Sequence, residues 1–74
     1  MRVLKLGVGG SDVKKWQLFL VGQRLARFMP NGKFGPATRA ATIAFQQKHG
    51  LDPDGKVGNR TLGRAMLLGF GLVG

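Results

Sequence analysis

Apolar residues recur at helical spacing in three stretches of this chain, separated by turns rich in Gly and Pro. In the first, Val13, Trp16, Gln17 and Leu20 fall at i, i+3, i+4 and i+7, one face of a helix. Phe19 and Val21 widen that face, and Lys14 and Lys15 lie off it. Ser11 has N-cap chemistry and Asp12 suits the positive end of the helix dipole, so the helix is predicted to start at one of them. Gly22 is its predicted end, although Arg24 to Phe28 contain no breaker and leave a longer helix open. The second helix is predicted from Pro36 to Lys48, with Thr38, Ala41, Thr42 and Phe45 inward and Arg39, Gln46, Gln47 and Lys48 facing elsewhere. Gly50 stops it. The third is predicted from Asn59 to Leu68, with Leu62, Ala65 and Met66 inward. Ahead of all three, Val3 to Leu6 alternate as a short extended segment with Leu4 and Leu6 toward the core, until Gly7 breaks it. Gly69 to Gly74 reads as a stub, the start of a linker.

The turns before the second and third helices are copies of one unit. Asn31-Gly32-Lys33-Phe34-Gly35-Pro36-Ala37-Thr38 aligns with Asp54-Gly55-Lys56-Val57-Gly58-Asn59-Arg60-Thr61 at an offset of 23 residues, with four of eight positions identical. Asn-Gly and Asp-Gly tolerate positive φ and form turns. Phe34 and Val57 are apolar pegs, and Pro36 sits where a helix has no use for an N–H. The pattern therefore predicts an all-α domain, a small three-helix bundle with a pseudo-repeated Gly-turn-plus-helix unit.

Composition narrows the function. The chain has 74 residues, enough for one small domain with a marginal core. There is no Cys and one His, which excludes disulfides and a zinc cage of Cys and His. No metal or cofactor is expected. Twelve Lys and Arg against three Asp give a net charge of +9, which calls for an acidic partner: nucleic acid, anionic lipid or an acidic wall polymer. Catalysis is not expected. Paired-carboxylate hydrolysis needs two acids across a cleft, and the only acids are Asp12, Asp52 and Asp54. Ser11 and His49 have no supporting motif, and there is no phosphate-binding loop. His49 reads as a helix-end cation. Met66 to Val73 is too short an apolar run to span a bilayer, and the N-terminus lacks the apolar core of a signal peptide.

Val13-Lys14-Lys15-Trp16-Gln17, the two Gly turns, Phe45-Gln46 and Gly50-Leu51 together resemble the pattern of the peptidoglycan-binding domain of bacterial cell-wall hydrolases and phage endolysins. The resemblance covers about residues 4 to 68. Trp16 stands where that pattern has Leu, Thr42 where Val is common, Asn31 for Asp, Asn59 for Pro, Leu62 for Trp and Ala65 for Leu. The resemblance implies a three-helix fold and non-catalytic binding of peptidoglycan, through its glycan and stem-peptide carboxylates. It implies a monomeric module that targets an attached lytic domain, expected C-terminal to residues 1–74. The missing signal peptide fits a phage endolysin made in the host cytoplasm and acting on periplasmic peptidoglycan. The alternatives are a small basic nucleic-acid-binding domain and a membrane-active basic module. No helix gathers its basic residues at helix-turn-helix spacing, so specific nucleic-acid binding is not expected.

Six residues are candidates for wall contact. Lys33 and Lys56 occupy equivalent turn positions, and Arg39 and Arg60 flank the two helix starts, where free N–H groups attract anions. Gln17 and Gln46 follow aromatic residues beside the core. Each is expected either to hydrogen-bond a turn backbone or to meet a sugar hydroxyl or peptide amide.

Overall fold

The computed structural model describes residues 2–71. Three helices follow in order: α1 (Ser11–Gly22), α2 (Pro36–Lys48) and α3 (Asn59–Leu67). Among the described residues there is no strand, only two isolated antiparallel bridges, Leu4 with Val57 and Gly9 with Lys33. Those bridges make the N-terminal segment a seam between the two repeated turns. Leu4 exchanges hydrogen bonds with Val57 (2.8 and 3.4 Å), while Gly7 and Gly10 donate to Phe34 and Gly32 (3.0 and 2.9 Å), and Phe34 donates back to Val8 at 2.9 Å. Arg2 ties the segment to α1 through both carboxylate oxygens of Asp12, at 2.9 and 3.0 Å.

This seam changes two details expected from local pattern. The N-cap of α1 is Gly10, one residue before Ser11. The Gly10 N–H is already drawn to Gly32 in a left-handed backbone region (φ 145°), so the helix starts immediately after it. Leu6 is 53% exposed while Leu4 is fully buried. Val8 donates back to Lys5 at 3.1 Å, and this turn breaks the alternation that would have put both leucines on one face.

All three helices end in the same Schellman arrangement. The left-handed position is Arg24 (φ 61°), Gly50 (φ 68°) and Gly69 (φ 103°) in turn. The residue after each donates to a carbonyl five positions back: Leu25 to Leu20, Leu51 to Gln46, and Phe70 to Ala65, at 3.0, 2.8 and 3.0 Å. Each of those three apolar residues then packs against the core. Arg24 does at the end of α1 what Gly does at the other two ends, which settles the boundary at Gly22. Gly69 and Phe70, read from sequence as part of a stub, belong to the folded body; the stub expectation for 72–74 lies outside the described residues.

Trp16 is the centre of the core. Its ring lies 5.4 Å from Phe19, 5.6 Å from Phe45 and 5.5 Å from Phe70, the last two edge-on. Val13, Leu20, Phe34, Ala41, Val57 and Ala65 complete the buried apolar set with Leu4. The inner face of α3 is Thr61 and Ala65, with Leu62 half-buried; Met66 is 55% exposed, not inward. The Trp16 indole N–H donates to Thr42 Oγ1 at 3.0 Å, and that hydroxyl donates to the Thr38 carbonyl at 2.8 Å. A Trp in this position buries a donor that a Leu would not have, and a Thr in place of Val supplies its acceptor. The two departures from the resembled pattern are therefore one coupled substitution.

That coupling has a measurable signature. Thr42→Val should cost about 1–3 kcal/mol, the penalty of orphaning a buried donor. In a Trp16→Phe background no donor is left to orphan, and the same change should cost much less. Urea unfolding of the four proteins in the double-mutant cycle measures the difference; equal costs in both backgrounds would show the hydrogen bond to be energetically idle.

Candidate functional site

The repeated turns owe their shape to two buried amides. Gln17, on the inner face of α1, is 2% exposed, and Gln46, on α2, is 1% exposed. Gln17 Oε1 accepts from the N–H groups of Asn31 and Gly32 at 3.0 and 2.8 Å. Its Nε2 donates to Lys33 O at 2.8 Å, Thr38 Oγ1 at 2.9 Å and Asn31 Oδ1 at 3.2 Å. Gln46 repeats the arrangement in the second copy. Its Oε1 accepts from Gly55 N–H at 2.9 Å, and its Nε2 donates to Lys56 O, Thr61 Oγ1 and Asp54 Oδ1 at 2.9, 3.0 and 3.0 Å. In both copies the Asn or Asp oxygen also takes the N–H two residues on, at 2.9 Å. Each Gln thereby clamps a whole turn and the Thr that starts the following helix.

Gln17 lies on the inner face of α1, as its spacing predicts. Gln46 was expected to point away from the core and lies within it. Neither Gln17 nor Gln46 has an amide atom left for a ligand; both serve the turns, the first of the two roles open to them from sequence. A signal for this lay in the chain: each Gln sits beside a buried aromatic residue and upstream of an Asn/Asp-Gly…Thr unit.

The four basic candidates divide unequally. Lys33 is exposed at the first turn, against the N-terminal segment. The other three gather at the second turn. The stem of Arg39 lies over Gly55, so closely that a Cβ there would meet Arg39 Cγ at 2.9 Å and Nε at 3.2 Å. With φ at 75° as well, Gly55 is required on both counts. Lys56 and Arg60 line a cleft of about 330 Å³ together with Leu51, Asp52, Asp54, Gly58, Asn59 and Thr61. At the positions of Asn59 and Arg60 the first copy carries Pro36 and Ala37, which offer no polar side chain. Sequence spacing treats the two turns as equals; the folded chain puts the hydrogen-bonding groups at the second. Leu51 and Asp52 were missed because they reach Arg60 only once the turn is folded, and Asn59, its neighbour in the chain, because it was read only as a helix start.

Two cations, Lys56 and Arg60, and two carboxylates, Asp52 and Asp54, share the cleft. The Lys56 N–H, and then the Gln46 amide, hold the Asp54 carboxyl below the usual carboxylate range. Asp12 is likewise lowered by the Arg2 guanidinium. Among the described residues no cluster of His, Cys, Asp or Glu could ligate a metal. His49 stands apart, its ring 4.6 Å from Phe45 and its Nε2 buried without a partner. Burial, reinforced by the charges of Arg64 and Lys48, pushes its pKa below the ordinary value of 6.5.

The family model of the peptidoglycan binding domain matches residues 9–64. A probable N-acetylmuramoyl-L-alanine amidase of Bacillus licheniformis is 39% identical over 61 residues, which are 80% of this chain and 17% of that protein. The solved N-terminal domain of SleB matches with a TM-score of 0.88 at 31% identity, over 90% of this chain and 92% of that one. The endolysin of Burkholderia phage AP3 matches at 0.82 and 39% identity, over 86% of this chain and 24% of that one. A fused Zn-dependent amidase/peptidase/peptidoglycan-binding domain-containing protein of Clostridium acetobutylicum matches at 0.77 and 40% identity, over 86% and 28%.

Two outcomes follow from the clamps and the buried ring. Gln46→Leu should destabilise the domain by about 1–3 kcal/mol for each buried group it orphans, among them Gly55 N–H and Thr61 Oγ1. Chemical denaturation would read this, and a cost near zero would mean that water replaces the amide. The pH dependence should have two parts. His49 folds in its neutral form, so its contribution is complete above the unfolded value of 6.5 and is lost as pH falls through the lower folded value. Asp54 folds ionised, so its contribution holds above the unfolded value of 3.8 and is lost as pH falls through its lowered folded value. Melting temperatures recorded from neutral pH into the carboxylate range should show the first fall vanish in His49→Phe. The second should shrink in Asp54→Asn, which copies Asn31 of the other turn.

Proposed function

This chain belongs to the peptidoglycan binding domain family, and from that membership we propose that it holds an attached lytic domain on the wall without itself cutting glycan or peptide. The relatives support the attachment. The chain spans 17% of the amidase, 24% of the phage endolysin and 28% of the fused amidase/peptidase, so in each the matching module accompanies a much larger remainder. The reading adopted is a monomeric targeting module of a cell-wall hydrolase of the endolysin kind, acting on periplasmic peptidoglycan, with the lytic domain C-terminal to it.

The cleft beside the second turn carries this reading. Stem peptides of the wall end in carboxylates. Arg60 offers a planar fork for a bidentate contact with one, and Lys56 a second positive charge on the same cleft wall. Asn59, exposed on the cleft wall, adds a neutral hydrogen-bonding group suited to peptide amides and sugar hydroxyls. Arg39, laid across Gly55, widens the positive field. Lys33 contributes at long range only. Because Gln46 fixes the turn from inside, these groups are held in place before a ligand arrives, and little ordering entropy is lost on binding.

Binding to purified sacculi in a sedimentation assay tests the reading. The domain should sediment with sacculi, release no soluble muropeptide and leave duplex DNA in solution at physiological salt. Arg60→Ala should weaken binding by about tenfold, the scale of one charge-assisted contact, whereas Lys5→Ala and Lys14→Ala should leave it within about twofold. Equal losses in all three, with nothing bound at 1 M salt where screening acts over about 3 Å, would reduce the interaction to diffuse attraction.

A further inference from the structure

The far end of α3 carries a second surface that wall binding does not use. Met66, Leu67 and Leu68 are 55%, 80% and 42% exposed at successive positions. Thr61 and Ala65 face the core, and Leu67, about 200° round the helix from Ala65, points away from it, with Met66 and the C-cap Leu68 on its flanks. Arg60, Arg64 and Leu67 follow at i, i+4 and i+7 along the outer stripe, with Leu68 beside it. Lys48 lies in the last turn of α2 and Arg64 in the last turn of α3, and the charge of each acts on His49. There is no acid in α3; Asp52 and Asp54 line the cleft at its opposite end and Asp12 is paired with Arg2.

We propose that this end of α3 is an interfacial contact for an anionic phospholipid bilayer. Leu67 enters the boundary between headgroups and acyl chains, with Met66 and Leu68 at its sides, and Arg64 and Lys48 reach lipid phosphates from the rim. An apolar group ringed by cations is the chemistry such a surface takes, since the apolar part sinks about 5–10 Å while the basic side chains stay at headgroup level. The helix end is prepared for a dry surface. Its closing carbonyls, on Ala65 and Met66, already accept from Leu68, Gly69 and Phe70 at 3.0, 3.1 and 3.0 Å, so fewer bare acceptors lose water. No helix among the described residues is long and apolar enough to cross a membrane, so the contact lies on the bilayer. Three side chains fall well short of the roughly 800 Å² per partner of a stable protein interface. A two-fold pairing with a second copy would also set Arg64 against the same arginine.

The test is sedimentation of the intact chain with vesicles of phosphatidylglycerol and phosphatidylcholine, against vesicles of phosphatidylcholine alone. The chain should bind the anionic vesicles and not the neutral ones. Leu67→Asp should lower that binding by about tenfold or more, the loss of one buried apolar side chain, and Arg64→Glu should do the same. Leu18→Asp, at a 54% exposed apolar position on α1, should leave it unchanged. Both leucines are exposed, so unchanged melting temperatures and Trp16 emission identify properly folded variants. Sacculus binding should survive Leu67→Asp, which separates failure of this proposal from failure of the wall-binding reading. No binding of the parent chain, or equal losses in Leu18→Asp and Leu67→Asp, overturns it. So does a concentration-dependent dimer that Leu67→Asp abolishes, since the patch would then join two copies.

Discussion

A glutamine amide has one acceptor oxygen and two donor hydrogens, and this fold spends all of them twice. Gln17 and Gln46 each reach from a helix into the turn ahead and close it onto a Thr at the next helix start. A turn buried beside a core would otherwise leave N–H and C=O groups without water, at about 1–3 kcal/mol apiece. Everything else is placed by that constraint. The pegs Phe34 and Val57 can enter the core because the turns are held down, and the angle between successive helices is set by where each amide finds its turn.

The N-terminal segment and the aromatic cluster then join the two clamped units. The segment pairs with Val57 near its start and with Gly32 and Phe34 near its end, so that one extended stretch spans both turns. Trp16 fills the space between all three helices, and Phe70 returns after α3 to cover it. With no cysteine to form a disulfide, a chain of 74 residues depends on this cluster. The Thr42 acceptor lets its largest member be buried without leaving an unpaired donor.

Function divides along the same lines. The clamps remove the glutamines from contact with any ligand and in exchange make the outer rim of each turn rigid. The two rims carry different side chains. The first carries Pro36 and Ala37 where the second carries Asn59 and Arg60, which complete a polar cleft. The two copies share the scaffold and differ in the side chains on their rims. At the other end of α3 the exposed leucines and Arg64 form a surface with a different character, and the helix between the two ends is only nine residues long.

Sequence by itself determined what depends on local spacing. A helical period is set by backbone geometry, so the inward faces Val13-Trp16-Leu20 and Thr38-Ala41-Thr42-Phe45 were legible, and so were the Asn-Gly and Asp-Gly turns and the Gly50 stop. The repeat, and the family it resembles, were legible for the same reason. Tertiary structure decided what depends on distant partners. The Asp-Gly…Thr unit downstream hints at the role of Gln46, but its partners lie eight to fifteen residues away and meet it only when the turn and α3 fold back onto α2. Arg24 adopts a left-handed conformation that local preference disfavours, since Leu25 behind it gains a place against the core. Met66 and Leu6 are apolar yet exposed, because the inner surface was already filled by Ala65 and Leu4. Arg39 belongs to the first repeat along the chain, and only packing lays it across Gly55 of the second turn, beside which Arg60 lines the cleft.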